Sequence, residues 1–132
     1  MIRKTPIIDL SSLNQYTPSI QIKISEPGVY SFTGLGSEGK SYLCSLLHKL
    51  RDRERVDSYR YPDPFHPAEL LNPEKRDLVM LDRYDMYAGQ GTEELLAFAQ
   101  RGIVLIDRKS HCPPCVSTMC SVYMYPDRLV VM

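Results

Sequence analysis

A glycine-rich octapeptide carries the clearest chemical signal in this sequence. Residues 34–41 read Gly-Leu-Gly-Ser-Glu-Gly-Lys-Ser, so two glycines five positions apart lead into a lysine and a hydroxyl residue. Gly34 and Gly39 allow backbone angles that other residues avoid, and successive N–H groups can therefore point at phosphate oxygens. In this pattern Lys40 reaches the β- and γ-phosphates of a nucleotide, and the Ser41 hydroxyl coordinates Mg²⁺. The octapeptide predicts a site for a nucleotide phosphate chain.

The segments on either side have the periodicities that such a site needs. Residues 29–33 form a β-branched and aromatic run typical of a strand. In residues 41–50, leucines recur at three- and four-residue spacing, which predicts a helix whose positive end adds to the anion site. The predicted phosphate-binding residues are Gly34, Leu35, Gly36, Ser37, Glu38, Gly39, Lys40, Ser41 and Tyr42. We expect the acidic Glu38 side chain to face solvent.

A second pattern lies about forty residues further along the chain. Four apolar residues, 78–81, precede Asp82, which predicts a buried strand that ends in a carboxylate. Together with Ser41, this carboxylate would complete a Mg²⁺ site through a metal-bound water. The alternative is an aspartate that caps the next element.

Further charged residues follow this strand and the next one. A general base has to lie near the metal, and the candidates are Asp85 and Asp107. We favour Asp85 because it is three residues from Asp82, although both candidates could equally lie on surface loops. Arg83 and Arg108 could neutralise the charge of a transferred phosphate, but such arginines more often form ion pairs.

Strands and helices alternate along the chain, which predicts an α/β fold with a mostly parallel sheet flanked by helices. The predicted strands after the octapeptide are residues 56–61, 77–82 and 103–107, and residues 91–102 form a helix with Thr92 as its N-cap. Ligands of such sheets bind beyond the carboxyl ends of the strands, where Asp82 and Asp107 lie.

Two hairpins are predicted outside this alternation. Residues 19–24 alternate cleanly and lead through a Glu-Pro-Gly turn into strand 29–33, which indicates an N-terminal β-hairpin. Residues 122–125 and 129–132 flank a Pro-Asp turn and indicate a C-terminal antiparallel hairpin. Pro67 could begin a single helical turn within an irregular, proline-rich connection.

Bulk properties restrict the function classes. The 132 residues predict a single domain over positions 1–132. Sixteen basic and sixteen acidic residues cancel, which gives no indication of nucleic-acid binding. No apolar run approaches the roughly 18 to 20 residues of a membrane span, and the N-terminus lacks the features of a signal peptide. We therefore expect a cytoplasmic protein.

Three of the four cysteines cluster late in the chain. In a cytoplasmic protein, disulfides are not the default expectation. His111 with Cys112, Cys115 and Cys120 could form a zinc site, but all four lie within ten residues and two of them are adjacent. We favour a proline-stiffened loop with ordinary thiols, and the sequence leaves metal binding open.

These motifs resemble those of the P-loop NTPases: residues 34–41 match the Walker A motif and residues 78–82 the Walker B motif. The chain is similar, over roughly residues 19–110, to the additional-strand branch with ABC, AAA+ and RecA-like ATPases. This resemblance implies a three-layer fold that binds ATP and Mg²⁺ and hydrolyses ATP. In that branch the Walker B aspartate is usually followed by a glutamate that activates the attacking water. Because this chain has Arg83 at that position, the resemblance implies slow hydrolysis. Asp107 lies at the position where proteins of this branch often have a polar residue that senses the γ-phosphate.

The tripeptide Asp82-Arg83-Tyr84 also resembles an element of nucleoside and nucleotide kinases, in which the arginine handles the phosphoryl acceptor. The GTPase motifs N-K-x-D and D-x-x-G are missing, so ATP is favoured over GTP. An LSGGQ-type signature is missing before Asp82, which disfavours an ABC transporter subunit.

Three hypotheses follow. The first is a slow Mg²⁺-dependent ATPase that acts as a switch or with a partner, the second a small phosphotransferase that uses Arg83, and the third a non-hydrolysing nucleotide-binding module. A homo-oligomer is plausible, because many P-loop ATPases complete their site with a neighbouring subunit. If strand 103–107 lies between the strands ending at Thr33 and Asp82, the additional-strand branch is favoured. Direct adjacency would favour the kinases.

Overall fold

A computed structural model describes residues 7–32, 39–87, 89–108 and 118–132 of the chain. Its strands, in chain order, are β1 (Ser19–Ile22), β2 (Gly28–Phe32), β3 (Val56–Tyr59), β4 (Leu78–Leu81), β5 (Ile103–Ile106), β6 (Thr118–Cys120), β7 (Val122–Met124) and β8 (Arg128–Val131). The helices are α1 (Lys40–Lys49), α2 (Pro67–Leu70) and α3 (Thr92–Ala99), with 3-10 turns at Ser11–Gln15 and Tyr84–Tyr87.

Five strands form one parallel sheet in the order β3-β4-β5-β2-β6. The predicted parallel sheet is therefore confirmed. Strand β5 lies between β2 and β4, and its Val104 is in register with Val29 on one side and with Val79 on the other. The carboxyl ends of all five strands meet at one edge, where the candidate site residues Asp82 and Asp107 follow β4 and β5.

Helices cover both faces of this sheet. Leu78 and Met80 of β4 pack with the core that contains Leu43 and Leu47 of α1. The alternate residues of the same strand, Val79 and Leu81, pack in a second core with α3. Because successive side chains of a strand point to opposite faces, a strand buried on both sides is apolar throughout. This explains the continuous apolar runs of β4 and β5.

The N-terminal β-hairpin predicted from residues 19–33 is wrong. Strand β1 belongs to a separate three-stranded sheet of order β1-β8-β7, where Ile20 is in register with Leu129 of the parallel strand β8. Strand β2 instead pairs with β5 on one edge and β6 on the other, so it has no free edge for β1. Pairing with β8 also buries Ile20 and Leu129 completely.

The C-terminal hairpin is confirmed, since β7 and β8 are antiparallel with Val122 opposite Val131. One smaller prediction needs correction, and one strand was missed. Helix α3 is preceded by Gly91 in the left-handed conformation (φ 68°), so Thr92 is its first residue and not its N-cap. Strand β6, at the edge of the parallel sheet, was not predicted at all.

Over the described ranges, none of the helices combines the length and the apolar composition that a membrane crossing requires.

Candidate functional site

Lys40 begins helix α1 at the carboxyl edge of the parallel sheet. Gly39, in the left-handed conformation (φ 83°), caps this helix and lets the chain turn into it. The Lys40 side chain is buried, and its Nζ lies 3.2 Å from Oδ1 of Asp107, directly after β5. The predicted phosphate-binding residues Gly34 to Glu38 lie outside the described residues. Lys40, near the end of the glycine-rich motif, therefore lies next to the carboxyl end of the central strand β5.

Asp82 and Asp107 follow neighbouring strands and lie at the same edge. The Asp82 N–H donates to the Tyr59 carbonyl oxygen at 3.0 Å, and the Asp107 N–H donates to the Leu81 carbonyl oxygen at 3.0 Å. Burial raises the pKa of the Asp82 carboxyl above its usual value, and the negative charge of Asp107 raises it further. The surroundings of Asp82 therefore favour an added cation.

The donor set fits Mg²⁺ by its chemistry. Ser41 lies exposed in the first turn of α1, next to Lys40, and offers a hydroxyl oxygen, while Asp82 offers a carboxylate. Mg²⁺ prefers oxygen ligands and usually keeps several waters together with substrate phosphates. In the part of the chain that the structure describes, His, Cys, Asp and Glu form no group of three or more that could hold a metal. The phosphates of a bound nucleotide would therefore have to complete the coordination.

Arg83 and Asp85 form a bidentate pair immediately after β4. The Arg83 Nε donates to Asp85 Oδ1 at 3.3 Å and its Nη2 to Oδ2 at 3.2 Å. This hydrogen bonding raises the pKa of the Arg83 guanidinium. Arg83 has a φ of 52°, in the left-handed region, and the next residue, Tyr84, donates its N–H to the Asp107 carbonyl oxygen at 2.9 Å. The Arg83–Asp85 pair thus lies in the turn that follows β4, beside the end of β5.

Arg108 and the residues of the possible zinc site contribute little to the picture of the site. Arg108 is half-buried, and its Nε has no hydrogen-bond partner within the described residues. Cys44 and Cys120 are free and buried, and burial raises the pKa of the Cys120 thiol to about 12, which keeps it neutral. The other members of the possible zinc set, His111, Cys112 and Cys115, lie outside the described residues.

Two cavities flank α1, and sequence reasoning missed both. A cleft of about 810 Å³ lies between α1, β3 and the segment after it, where Arg60 Nη2 donates to Ser45 Oγ at 2.6 Å. A pocket of about 700 Å³ lies between α1 and the β7–β8 hairpin. Its lining residues are Thr17, Pro18, Tyr42, Met124, Tyr125, Pro126, Asp127 and Leu129. These residues are scattered along the chain without a motif, and only the fold brings them together.

No protein-family model matches the chain, and a search of the curated proteins finds no significantly similar relative. The function is therefore inferred from the motifs and from the geometry of the site.

Proposed function

We propose that this protein is a P-loop nucleotide-binding protein that binds ATP with Mg²⁺, hydrolyses it slowly, and acts as a switch or with a partner. One observation carries the proposal: Lys40, at the end of the glycine-rich motif, lies 3.2 Å from Asp107, and Asp82 ends the strand beside it. A lysine at a helix N-terminus paired with one carboxylate, with a second carboxylate after the neighbouring parallel strand, provides the charges that a magnesium–triphosphate complex needs.

The order of strands supports the additional-strand branch of this superfamily. Strand β5 lies between β2, which leads into the glycine-rich motif, and β4, which ends at Asp82. In the kinase alternative those two strands would be direct neighbours. The assignment to the branch rests on this topology together with the two motifs.

The Lys40–Asp107 pair suggests how the site would respond to a nucleotide. A triphosphate carries more negative charge than one carboxylate, and charge-assisted contacts to phosphate oxygens would draw the Lys40 amine away from Asp107. The Asp107 carboxylate would then be available to orient a water molecule. Asp85, which the sequence alone favoured for this role, is less suited, because both of its oxygens accept hydrogen bonds from Arg83.

Ser41 and Asp82 would hold the magnesium ion, and a bound Mg²⁺ would neutralise charge on the phosphate oxygens. The residue after Asp82 is Arg83, not an acid, and it is paired with Asp85. The site therefore lacks a carboxylate in the position from which the related ATPases activate water. Slow hydrolysis is the expected consequence.

The cleft beside Arg60 favours a second candidate, a small phosphotransferase with an anionic acceptor. Five Lys or Arg side chains line this cleft, against three Asp or Glu side chains. Arg60, which lines the cleft, also acts on the Asp82 carboxyl and lowers its pKa, against the larger raising effects of burial and Asp107. An acceptor in the cleft would approach the phosphate chain from the β3 side. The strand order disfavours the phosphotransferase, because β5 separates β2 from β4.

A pair of measurements separates these functions. Calorimetric titration with Mg²⁺ and ATP measures binding, and a phosphate-release assay without any acceptor measures hydrolysis. We expect micromolar binding and slow release, well below the roughly 10 s⁻¹ that is typical of enzymes. ADP formation that depends on an added nucleoside or nucleotide would favour the phosphotransferase. Tight binding without turnover would favour a non-hydrolysing module, and no binding at all would contradict the proposal.

A further inference from the structure

We propose that the pocket between α1 and the β7–β8 hairpin, here called the aromatic pocket, holds the base of the bound nucleotide. This inference rests on the proposed function, because it extends the same ligand beyond its phosphates. The pocket is lined by Tyr42, Met124 and Tyr125, with polar groups from Thr17 and Asp127 at its border.

The position of the pocket follows from the end of the glycine-rich motif. Tyr42 is the residue after Ser41, so it lies in the same first turn of α1 as the predicted phosphate ligands. Gly39 packs directly on the hairpin: a Cβ at this position would lie 3.4 Å from the side chains of Val122 and Leu129. The aromatic pocket is therefore the cavity that adjoins the phosphate site on the hairpin side of α1.

The chemistry of the pocket suits a flat aromatic group. The Arg128 guanidinium lies 4.2 Å from the centre of the Tyr125 ring, and its Nη1 donates to Asp127 Oδ1 at 2.9 Å. One face of the Tyr125 ring is thus covered by a cation, which fixes the orientation of the ring. Aromatic rings held in this way stack with nucleic-acid bases, and stacking tolerates any base because every base has a π-face.

Exposure supports the same conclusion. Tyr42, Met124 and Tyr125 each leave about half of their side chains exposed, and they border one cavity. Clustered apolar groups on a surface often mark a ligand or partner site. A purine would cover these groups while its phosphates contacted Lys40 and Ser41. Stacking alone does not distinguish adenine from guanine, so any preference for ATP would have to come from polar groups such as those of Thr17 and Asp127.

Calorimetric titration with ATP and with inorganic tripolyphosphate tests the pocket separately from the phosphate site. Tyr125→Ala should weaken ATP binding about tenfold, equivalent to about 1.4 kcal/mol, because it removes the ring on which the base stacks. The same variant should bind tripolyphosphate as tightly as the parent protein. Tyr125→Phe keeps the ring and should retain ATP affinity, which shows whether any loss comes from the ring or from misfolding.

Tyr123→Ala is the matched control. Tyr123 is on the same hairpin and is exposed to a similar degree as Tyr125, but it does not line the pocket. The Tyr123→Ala variant should bind ATP and tripolyphosphate as tightly as the parent protein does. Equal ATP affinity in Tyr125→Ala and Tyr123→Ala would overturn the base pocket while leaving the proposed function intact. If the parent protein binds neither ATP nor tripolyphosphate, the proposed function itself fails.

Discussion

Asp82 and Asp85 follow the same strand, three residues apart, and their environments are opposite. Burial and the charge of Asp107 raise the pKa of Asp82, so the protein around it disfavours its ionised form. Asp85 accepts two hydrogen bonds from Arg83, and its side chain is 4 % exposed. A carboxylate with a raised pKa is suited to a cationic ligand, whereas one that is held by an arginine and covered stabilises its own turn.

The two ion pairs of this region differ in the same way. Arg83 and Asp85 are two residues apart, and their pairing shapes a local turn. Lys40 and Asp107 are 67 residues apart, and they join the end of the glycine-rich motif to the central strand. Under the proposed function a nucleotide would replace Asp107 as the partner of Lys40, but nothing in that function requires the Arg83–Asp85 pair to open. The predictions below test this difference.

Removing the Lys40 amine should have the largest effect. Lys40→Ala removes the charge-assisted contacts to phosphate, each worth about 1.5–3 kcal/mol, and should lower ATP affinity at least a hundredfold. Calorimetric titration measures the loss. Lys49→Ala, at the other end of α1, is the control and should bind ATP normally. Unchanged affinity in Lys40→Ala would remove the basis for the assigned site.

Removing the Asp107 carboxylate should separate binding from hydrolysis. Asp107→Asn should reduce phosphate release about a hundredfold, the usual contribution of a general base, while ATP affinity stays the same or rises because Lys40 loses its competing partner. Parallel titration and phosphate-release assays measure the two effects. If the variant hydrolyses ATP at the parent rate, Asp107 does not orient the water.

Asp85→Asn should act on stability. It leaves the Arg83 guanidinium, which is 30 % exposed, without its carboxylate, and should lower the free energy of unfolding, by less than a fully buried pair would because water screens the guanidinium. Urea denaturation followed by circular dichroism measures this change. ATP turnover at a temperature where the variant is folded should match the parent. A stable variant with lost turnover would instead make Asp85 the general base, as the sequence alone suggested.

Asp82→Asn should stabilise the nucleotide-free protein slightly, in contrast to Asp85→Asn. Removing a carboxylate that its surroundings disfavour should add about 0.5 kcal/mol, a small value because water still screens a half-buried group. Urea denaturation at neutral pH measures the gain. The same variant should lose the Mg²⁺ dependence of ATP binding. A loss of stability in Asp82→Asn would show that the contrast with Asp85 is wrong.

The pH dependence of that gain is the smallest expected effect. A carboxyl with a raised pKa in the folded state destabilises the fold only when it is ionised. The advantage of Asp82→Asn should therefore be present at neutral pH, shrink as the pH falls through the raised pKa of Asp82, and vanish below its unfolded value of 3.8. Denaturation series of the parent and variant across pH 3 to 7 give this difference directly. A gain that stays constant with pH would exclude an electrostatic cause.

Much of the architecture was predictable because it depends on local patterns. The leucine spacing of α1 and the continuous apolar runs of β4 and β5 reflect which faces are buried, and those elements were identified to within a residue or two. The C-terminal hairpin was predictable from its turn. By contrast, the pairing of β1 with β8 joins strands more than a hundred residues apart, and no local pattern specifies such a partner.

The sequence by itself determined the residue types of the candidate site: a glycine-rich motif that ends in Lys40 and Ser41, and aspartates that follow two apolar runs. The order of residue types and their spacing along the chain are sufficient for that. Only the tertiary structure decided that β5 separates β2 from β4, that Asp85 is paired with Arg83 while Asp107 is paired with Lys40, and that aromatic residues of the hairpin adjoin Tyr42. These outcomes depend on which long-range strand pairings bury apolar surface and also give the backbone groups of each strand edge a hydrogen-bond partner. Alternative pairings compete over the whole chain, so no local segment decides between them.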